Sequence, residues 1–378
     1  MLSYWEKQSL LNYDIIIIGS GIVGLSTAVS LKEKDASQRV LVLERSILPT
    51  GASTKNAGFA CIGSLTEILD DLTNMSEDEV LRLIELRYKG LLLLRSRLGD
   101  KNISYAENGS YELISNKEIS CLNEIEKTNQ LLKSIFKQDA FSLCDNKITD
   151  FGFSNSYTKH LIKNNLEGEL HTGKMMRALI DLCLAKGVEI KTGAFVNRIE
   201  ETEKAINVIV NNPTSVNEEL IFNASKVVVC TNAFTNKLYP ALDIFPGRGQ
   251  VLITKPVSNL KFKGIFHFDK GYYYFRELDG RVLFGGGRNL NFKKEETTEL
   301  AVNEKIQSDL IEKLQTIILP DTAFEIETTW AGIMAFGKSK FPLLEKQSDR
   351  ILVGARMGGM GVAIGSEIGE QLSDMILK

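Results

Sequence analysis

The stretch that most constrains this chain is Tyr13 to Arg45, YDIIIIGSGIVGLSTAVSLKEKDASQRVLVLER, which reads as strand, glycine turn, helix and second strand in one unit. Ile15 to Ile18 is an apolar run suited to a strand buried on both faces, and it leads into Gly19, Gly21 and Gly24 at the G-x-G-x-x-G spacing. Gly19 permits the tight turn, Gly21 lets the backbone approach a pyrophosphate, and Gly24 lets the helix sit close to the sheet. The helix N-terminus then points its free N–H groups at the phosphate. Val40 to Leu43 forms the second strand and ends at Glu44, where a carboxylate can accept hydrogen bonds from a ribose diol. The unit is a βαβ dinucleotide grip.

At 378 residues the chain exceeds what one core usually holds, so two domains are expected. A formal net charge of -3 offers no basic footprint, and no nucleic-acid partner is expected. Met1 to Asn12 lacks the basic start and apolar core of a leader, and no run approaches the length of a membrane span. The expectation is a cytoplasmic protein with no integral membrane segment. Cys61, Cys121, Cys144, Cys183 and Cys230 are scattered without a C-x-x-C pair, which suits reduced thiols. His160, His171 and His267 are too dispersed for a zinc cluster, so no metal is expected.

After Glu44, SILPTGASTKNAGFACIGS is a loop of small residues that can lay N–H groups and hydroxyls along a flat cofactor. Ser76 to Leu98 places Val80, Leu83, Ile84, Leu86, Leu91 and Leu94 at helical spacing behind a Ser-x-x-Glu start, and a second domain is read from here. A short strand is expected in Tyr105 to Ser115 and a helix in Lys117 to Lys137. The α/β pattern returns with a helix over Gly173 to Lys186, then strands at Val188 to Lys191, Ala194 to Ile199, Ala205 to Val210 and Lys226 to Cys230. From Gly247 the chain reads mostly as strands, GQVLITK, GIFHFD, GYYYFRELDG and RVLFGGG, followed by a helix over Glu295 to Ile318 and a strand over Thr322 to Ile333. Arg350 to Gly354 is a last strand, running into Gly358, Gly359 and Gly361 and a C-terminal helix, a second glycine-rich strand-to-helix turn. The expected division is 1–75, 165–245 and 335–378 for the nucleotide domain, with 76–164 and 246–334 for a discontinuous substrate domain.

Taken together, GSGIVG with Glu44, GASTKNAGF, PGRGQVLIT, YYYFRELDGRVLFGGG, TWAGI and GMGVAIGSEIGEQL resemble the D-amino-acid oxidase superfamily of FAD-dependent oxidoreductases along essentially the whole chain. That superfamily includes D-amino-acid dehydrogenases, glycine and sarcosine oxidases and γ-glutamylputrescine oxidase. The resemblance implies an α/β plus α+β fold, in which a Rossmann-like FAD-binding domain is joined to a substrate domain built on a mostly antiparallel sheet. It also implies that Gly19, Gly21 and Gly24 contact the FAD pyrophosphate, and that Glu44, with Arg45 beside it, takes the adenosine ribose. Ser53, Thr54, Asn56, Ala57 and Gly58 would line the flavin side, Val196 the adenine, and Gly358, Gly359, Met360 and Gly361 the pyrimidine edge, where N–H donors stabilise the reduced flavin.

Two departures stand out. Glycine oxidase-like relatives carry a carboxylate-binding arginine on the strand after W-x-G, whereas here Trp330 is followed by Ala331, Gly332, Ile333 and Met334. Sarcosine oxidases carry a lysine that helps oxygen react, and Leu283 stands at the matching position. No histidine in the early loop matches the covalent flavin attachment of some relatives, so noncovalent FAD is implied. Tyr274 and Arg276 are the residues of choice for the substrate, with Arg276 as carboxylate anchor. Trp330 and Met334 complete the candidate pocket, with Lys338 or Lys340 as a weaker substitute anchor; Arg248 reads as structural. The implied reaction oxidises the C–N bond of an amino acid or amine by hydride transfer to flavin N5, and the imine is then hydrolysed. Electrons would pass to O2 or a redox partner. A 2-hydroxy acid or polyol dehydrogenase remains an alternative, as does a nucleotide-binding protein without turnover.

Overall fold

The computed structural model describes residues 2–211 and 219–378. Its first sheet is centred on Asn12–Ile18, whose isoleucine run is apolar on both faces and therefore needs cover on both. Parallel neighbours are Val40–Leu43 on one side and Glu219–Val229 on the other, with Glu189–Lys191 and Ile351–Ala355 further out. Leu343–Lys346 adds an antiparallel edge. One face carries the helices Ile22–Lys34, Thr172–Ala185 and Gly361–Leu377; the other carries Val196–Glu201 and Ile206–Asn211, which branch from Glu219–Val229. The first helix sits close to the sheet because position 24 has no side chain: a Cβ on Gly24 would lie 2.0 Å from the Gly19 carbonyl oxygen.

The second sheet has eight strands, in the order Ile326–Phe336, Phe245–Thr254, Arg281–Gly286, Tyr273–Leu278, Ile265–Phe268, Ser110–Ile114, His160–Asn164, Phe141–Leu143. All pairings are antiparallel except that of Ile265–Phe268 with Ser110–Ile114. Strand alternation decides what each face does. Tyr273 and Phe275 point into an aromatic core with Phe262, Phe266, Phe268 and Phe284, closed by Glu304–Lys313. Tyr272, Tyr274 and Arg276 take the opposite face.

Several elements differ from the sequence reading. The helix Glu77–Leu98, expected to open the second domain, serves two cores: Leu83, Leu91, Leu94 and Leu98 share a cluster with Leu25 and Ile364 on the nucleotide side, while Val80 and Ile84 share one with Ile114 and Ile162 of the second sheet. Its Gly90 makes the first contact possible, since a Cβ there would lie 2.3 Å from the Ala363 carbonyl. The helix expected from Lys117 breaks into a 3-10 turn, Ile119–Glu124, and Ile125–Leu132. The helix expected from Glu295 starts at Glu304, because Glu295 is buried in an ion pair with Arg248 at 2.7 Å. Helix Leu65–Asn74 and strand His160–Asn164 were not anticipated. No helix among the described residues is long and apolar enough to cross a membrane.

Candidate functional site

A cavity of about 740 Å³ runs from the first glycine turn to the free face of the second sheet. At its nucleotide end lie Gly19, Ser20 and Gly21, followed by Glu44, Arg45 and Val196. Ser53 Oγ accepts from the Ile22 N–H at 3.0 Å, so the loop after Glu44 shares the helix N-terminus with whatever anion binds there. Buried Glu44 accepts from Ser20 N–H at 3.2 Å and Ser20 Oγ–H at 2.7 Å through one oxygen, and from Ser46 N–H at 3.1 Å through the other. The oxygen facing Ser46 keeps a lone pair for a ligand hydroxyl while the other braces the turn. Arg45 stacks on Phe234, 3.7 Å above the ring. Glu44→Ala should therefore weaken FAD retention about tenfold, the scale of one charged hydrogen bond. Titration of the apoprotein with FAD measures it, and an unchanged dissociation constant removes Glu44 from the ribose.

The middle of the cavity is bounded by Ser53, Asn56 and Ala57 on one side and by Gly358, Gly359, Met360 and Gly361 on the other. Cβ atoms built on Gly358, Gly359 and Gly361 meet nothing closer than 4.0, 3.6 and 3.7 Å. Bare backbone thus faces the cavity, and a flat heterocycle fits against it. The preceding Arg356 holds a left-handed backbone at φ 67 and is pinned by Asp243 at 2.7 Å, which fixes where the turn begins. The donor set suits a dinucleotide along its length: a helix N-terminus, a buried carboxylate and two glycine turns.

Three expected cofactor contacts lie outside the cavity wall. Gly24 packs against Gly19, as its role in helix–sheet packing requires, and does not line the cavity. Thr54 Oγ1 donates to Pro49 O at 2.7 Å and is consumed locally. Gly58 (φ 75) lies behind the wall and presents its carbonyl to Arg276 at 3.1 Å.

Tyr274, His267, Val251, Met334 and Arg288 are among the side chains of the sheet wall. Tyr274 pairs in register with His267, and the Phe59 ring meets both edge-on at 5.5 and 5.2 Å. Burial pushes the Tyr274 phenol up to about 12, so it stays protonated. His267 Nε2 is buried and unpartnered among the described residues. Near it sits Glu167, whose carboxylate accepts from Ile62 N–H, Gly63 N–H and Ser110 Oγ–H at 2.6, 2.9 and 2.6 Å. The sequence reading weighed His267 only as a zinc ligand; its place beside Tyr274 depends on the strand register.

Two expected substrate residues are elsewhere. Arg276 lies on the same face as Tyr274 but beyond the cavity edge. Its guanidinium donates to Leu170 O at 2.8 Å, Gly58 O at 3.1 Å and Ala57 O at 3.4 Å, and faces Glu169 at 3.5 Å. It is a buried tie between segments, with no free edge for a carboxylate. Trp330 donates its Nε1–H to Lys55 O at 3.0 Å and packs with Ala57 and Leu283, also off the cavity. Lys338 lines the rim and is exposed. There the helix Leu65–Asn74 is strapped to the sheet side by Asp70–Lys270 at 2.8 Å and by Asp71–Lys340.

The comparisons agree with this geometry. A probable oxidoreductase, OrdL, of Haemophilus influenzae is 22% identical over 96% of this chain and 83% of its own. Among solved structures, L-proline dehydrogenase from P. horikoshii superposes with a TM-score of 0.77 at 16% identity, covering 97% of this chain and 93% of that one. Glycine oxidase from Geobacillus kaustophilus gives 0.75 at 18% identity, covering 97% and 95%. The model of the DAO family, FAD dependent oxidoreductase, matches residues 14–375, and the chain belongs to that family, with FAD as its cofactor.

Proposed function

We propose that the protein oxidises the C–N bond of a small amine or amino acid, with FAD held noncovalently. The observation that carries this reading is one cavity in which the bare glycine turn 358–361 and an apolar and aromatic wall of Phe59, Tyr274 and Met334 bound the same space. The similar structures are named for enzymes of L-proline and glycine, which supports a substrate of this size and class.

Bound FAD supplies the acceptor for the two electrons and the hydrogen that leave the substrate carbon. As that C–H bond breaks, the nitrogen lone pair forms C=N, and water then hydrolyses the imine to a carbonyl compound and the released amine or ammonia. The chain's part is to position and to keep dry: the wall excludes water, and the protonated Tyr274 hydroxyl offers a neutral hydrogen bond. Cys61 touches Met360 at 3.7 Å, but burial pushes its thiol well above the ordinary value and leaves no thiolate to attach the cofactor. Electrons pass on to O2 or a redox partner, which aerobic and anaerobic turnover distinguish.

The test is anaerobic bleaching of the purified yellow protein by D-amino acids, N-methyl amino acids, amines and 2-hydroxy acids. Loss of the flavin colour with a member of the nitrogen series is expected. Bleaching by a 2-hydroxy acid alone, or by nothing, overturns the proposal.

A further inference from the structure

The cavity wall contains four arginines. Arg87 donates to Ile62 O at 2.7 Å and Arg356 is paired with Asp243 at 2.7 Å, while Arg45, stacked on Phe234 without an ion-pair partner among the described residues, stands at the nucleotide end beside Glu44. Arg288 is the unpaired arginine at the sheet end. It follows the strand Arg281–Gly286, and its guanidinium lies 3.8 Å from the Phe336 ring centroid and 4.9 Å from that of Phe292. Its side chain makes no hydrogen bond or ion pair with any described residue. The absence of a side chain at Gly247 opens its slot, since a Cβ there would lie 2.2 Å from Arg288 Nη1. The carboxylates whose charge it feels are Glu295, already committed to Arg248 through two contacts at 2.7 and 3.1 Å, and the exposed Glu296, which makes no ion pair with it. Burial draws the Arg288 pKa below its ordinary value, the mark of a cation that has lost water without gaining a counterion.

A half-buried guanidinium without an anion is costly, and a ligand carboxylate is the group whose geometry matches its planar fork. Stacking on Phe336 fixes the plane of the fork and leaves its edge free. We propose that Arg288 is the anion-binding residue of the substrate pocket, so that the substrate carries a carboxylate. The oxidised bond rests on the amine-oxidation reading; the anion does not. Arg288 thereby takes the duty that the sequence reading gave to Arg276, from a different strand end.

The test uses the FAD-loaded protein and the unreactive acids propionate and benzoate, with propionamide and benzamide as neutral counterparts, followed by perturbation of the flavin absorbance. Wild type is expected to bind the acids more tightly than the amides. Arg288→Met should raise the dissociation constants of the acids about a hundredfold, leave those of the amides unchanged and leave FAD content unchanged. Arg288→Lys, which keeps the charge but loses the fork, should raise them about tenfold and serves if the methionine variant fails to fold. Acid binding that survives in both variants, is absent from wild type, or is lost in Lys55→Met instead overturns the proposal. If no amine bleaches the flavin while acids still bind through Arg288, the reaction assignment falls and the anion site stands.

Discussion

Arg276→Ala is expected to cost about 3–5 kcal/mol of stability, the scale seen when one partner of a buried charge pair is removed. The substitution strips the cation from three buried carbonyls, Ala57, Gly58 and Leu170, and leaves Glu169 as a buried carboxylate facing no arginine. Denaturant unfolding at neutral pH measures the loss. Because Gly58 adjoins the cavity-lining Ala57, flavin retention should fall with stability, and reduction by an amino acid and by its decarboxylated amine should suffer equally. A variant of unchanged stability that discriminates against the amino acid alone would return Arg276 to the substrate pocket.

Glu295→Ala should cost a similar amount, about 3–5 kcal/mol, for a related reason. Glu295 is fully buried and accepts from Arg248, Asn303 and Gln250, so its removal orphans an arginine and two amides at the junction of Phe245–Thr254 with the helix Glu304–Lys313. Burial alone would raise its carboxyl, but the hydrogen bonds from Arg248, Asn303 and Gln250 and the charge of Arg248 outweigh it and hold the pKa below the ordinary value. The folded state therefore binds the proton less readily than the unfolded one. The contribution is present above the unfolded pKa, about 4.3, and is lost as pH falls through the lower folded value. Thermal melts across that range should show a shallower acid loss in Glu295→Gln than in wild type; parallel curves would show that Glu295 is not the linked group.

The parts of the molecule legible in sequence are those set by local chemistry. The isoleucine run, the glycine spacing and Glu44 define the nucleotide unit within some thirty residues, and the alternation of Tyr272 to Phe275 says that only one parity faces the pocket, the resemblance to relatives selecting Tyr274. What was not legible depends on partners distant in sequence. Arg276 has the right parity for a pocket residue, yet its fate is decided by carbonyls at 57, 58 and 170 that no periodicity links to it. Arg288 stands in a 3-10 turn just after a glycine-rich strand, and only the lack of a side chain at 247 creates its slot. The stripe of Glu77–Leu98 was readable, but an apolar stripe does not say that its residues divide between two cores.

The packing of the first helix against Gly361–Leu377 bears on how the protein is made. Ser26 Oγ and Ser366 Oγ are 340 positions apart in sequence and 3.3 Å apart in space, and the central strand pairs with one neighbour from residues 40–43 and another from 219–229. Such pairings close very long loops before any burial rewards them, which slows folding and keeps apolar strands exposed meanwhile. During synthesis the βαβ unit emerges early with both faces of Asn12–Ile18 uncovered. It gains its second glycine turn only after nearly all of the remaining chain has followed. Both glycine turns of the cavity therefore coexist only once the C-terminal segment has been made, and until then the nascent nucleotide unit exposes apolar strand faces.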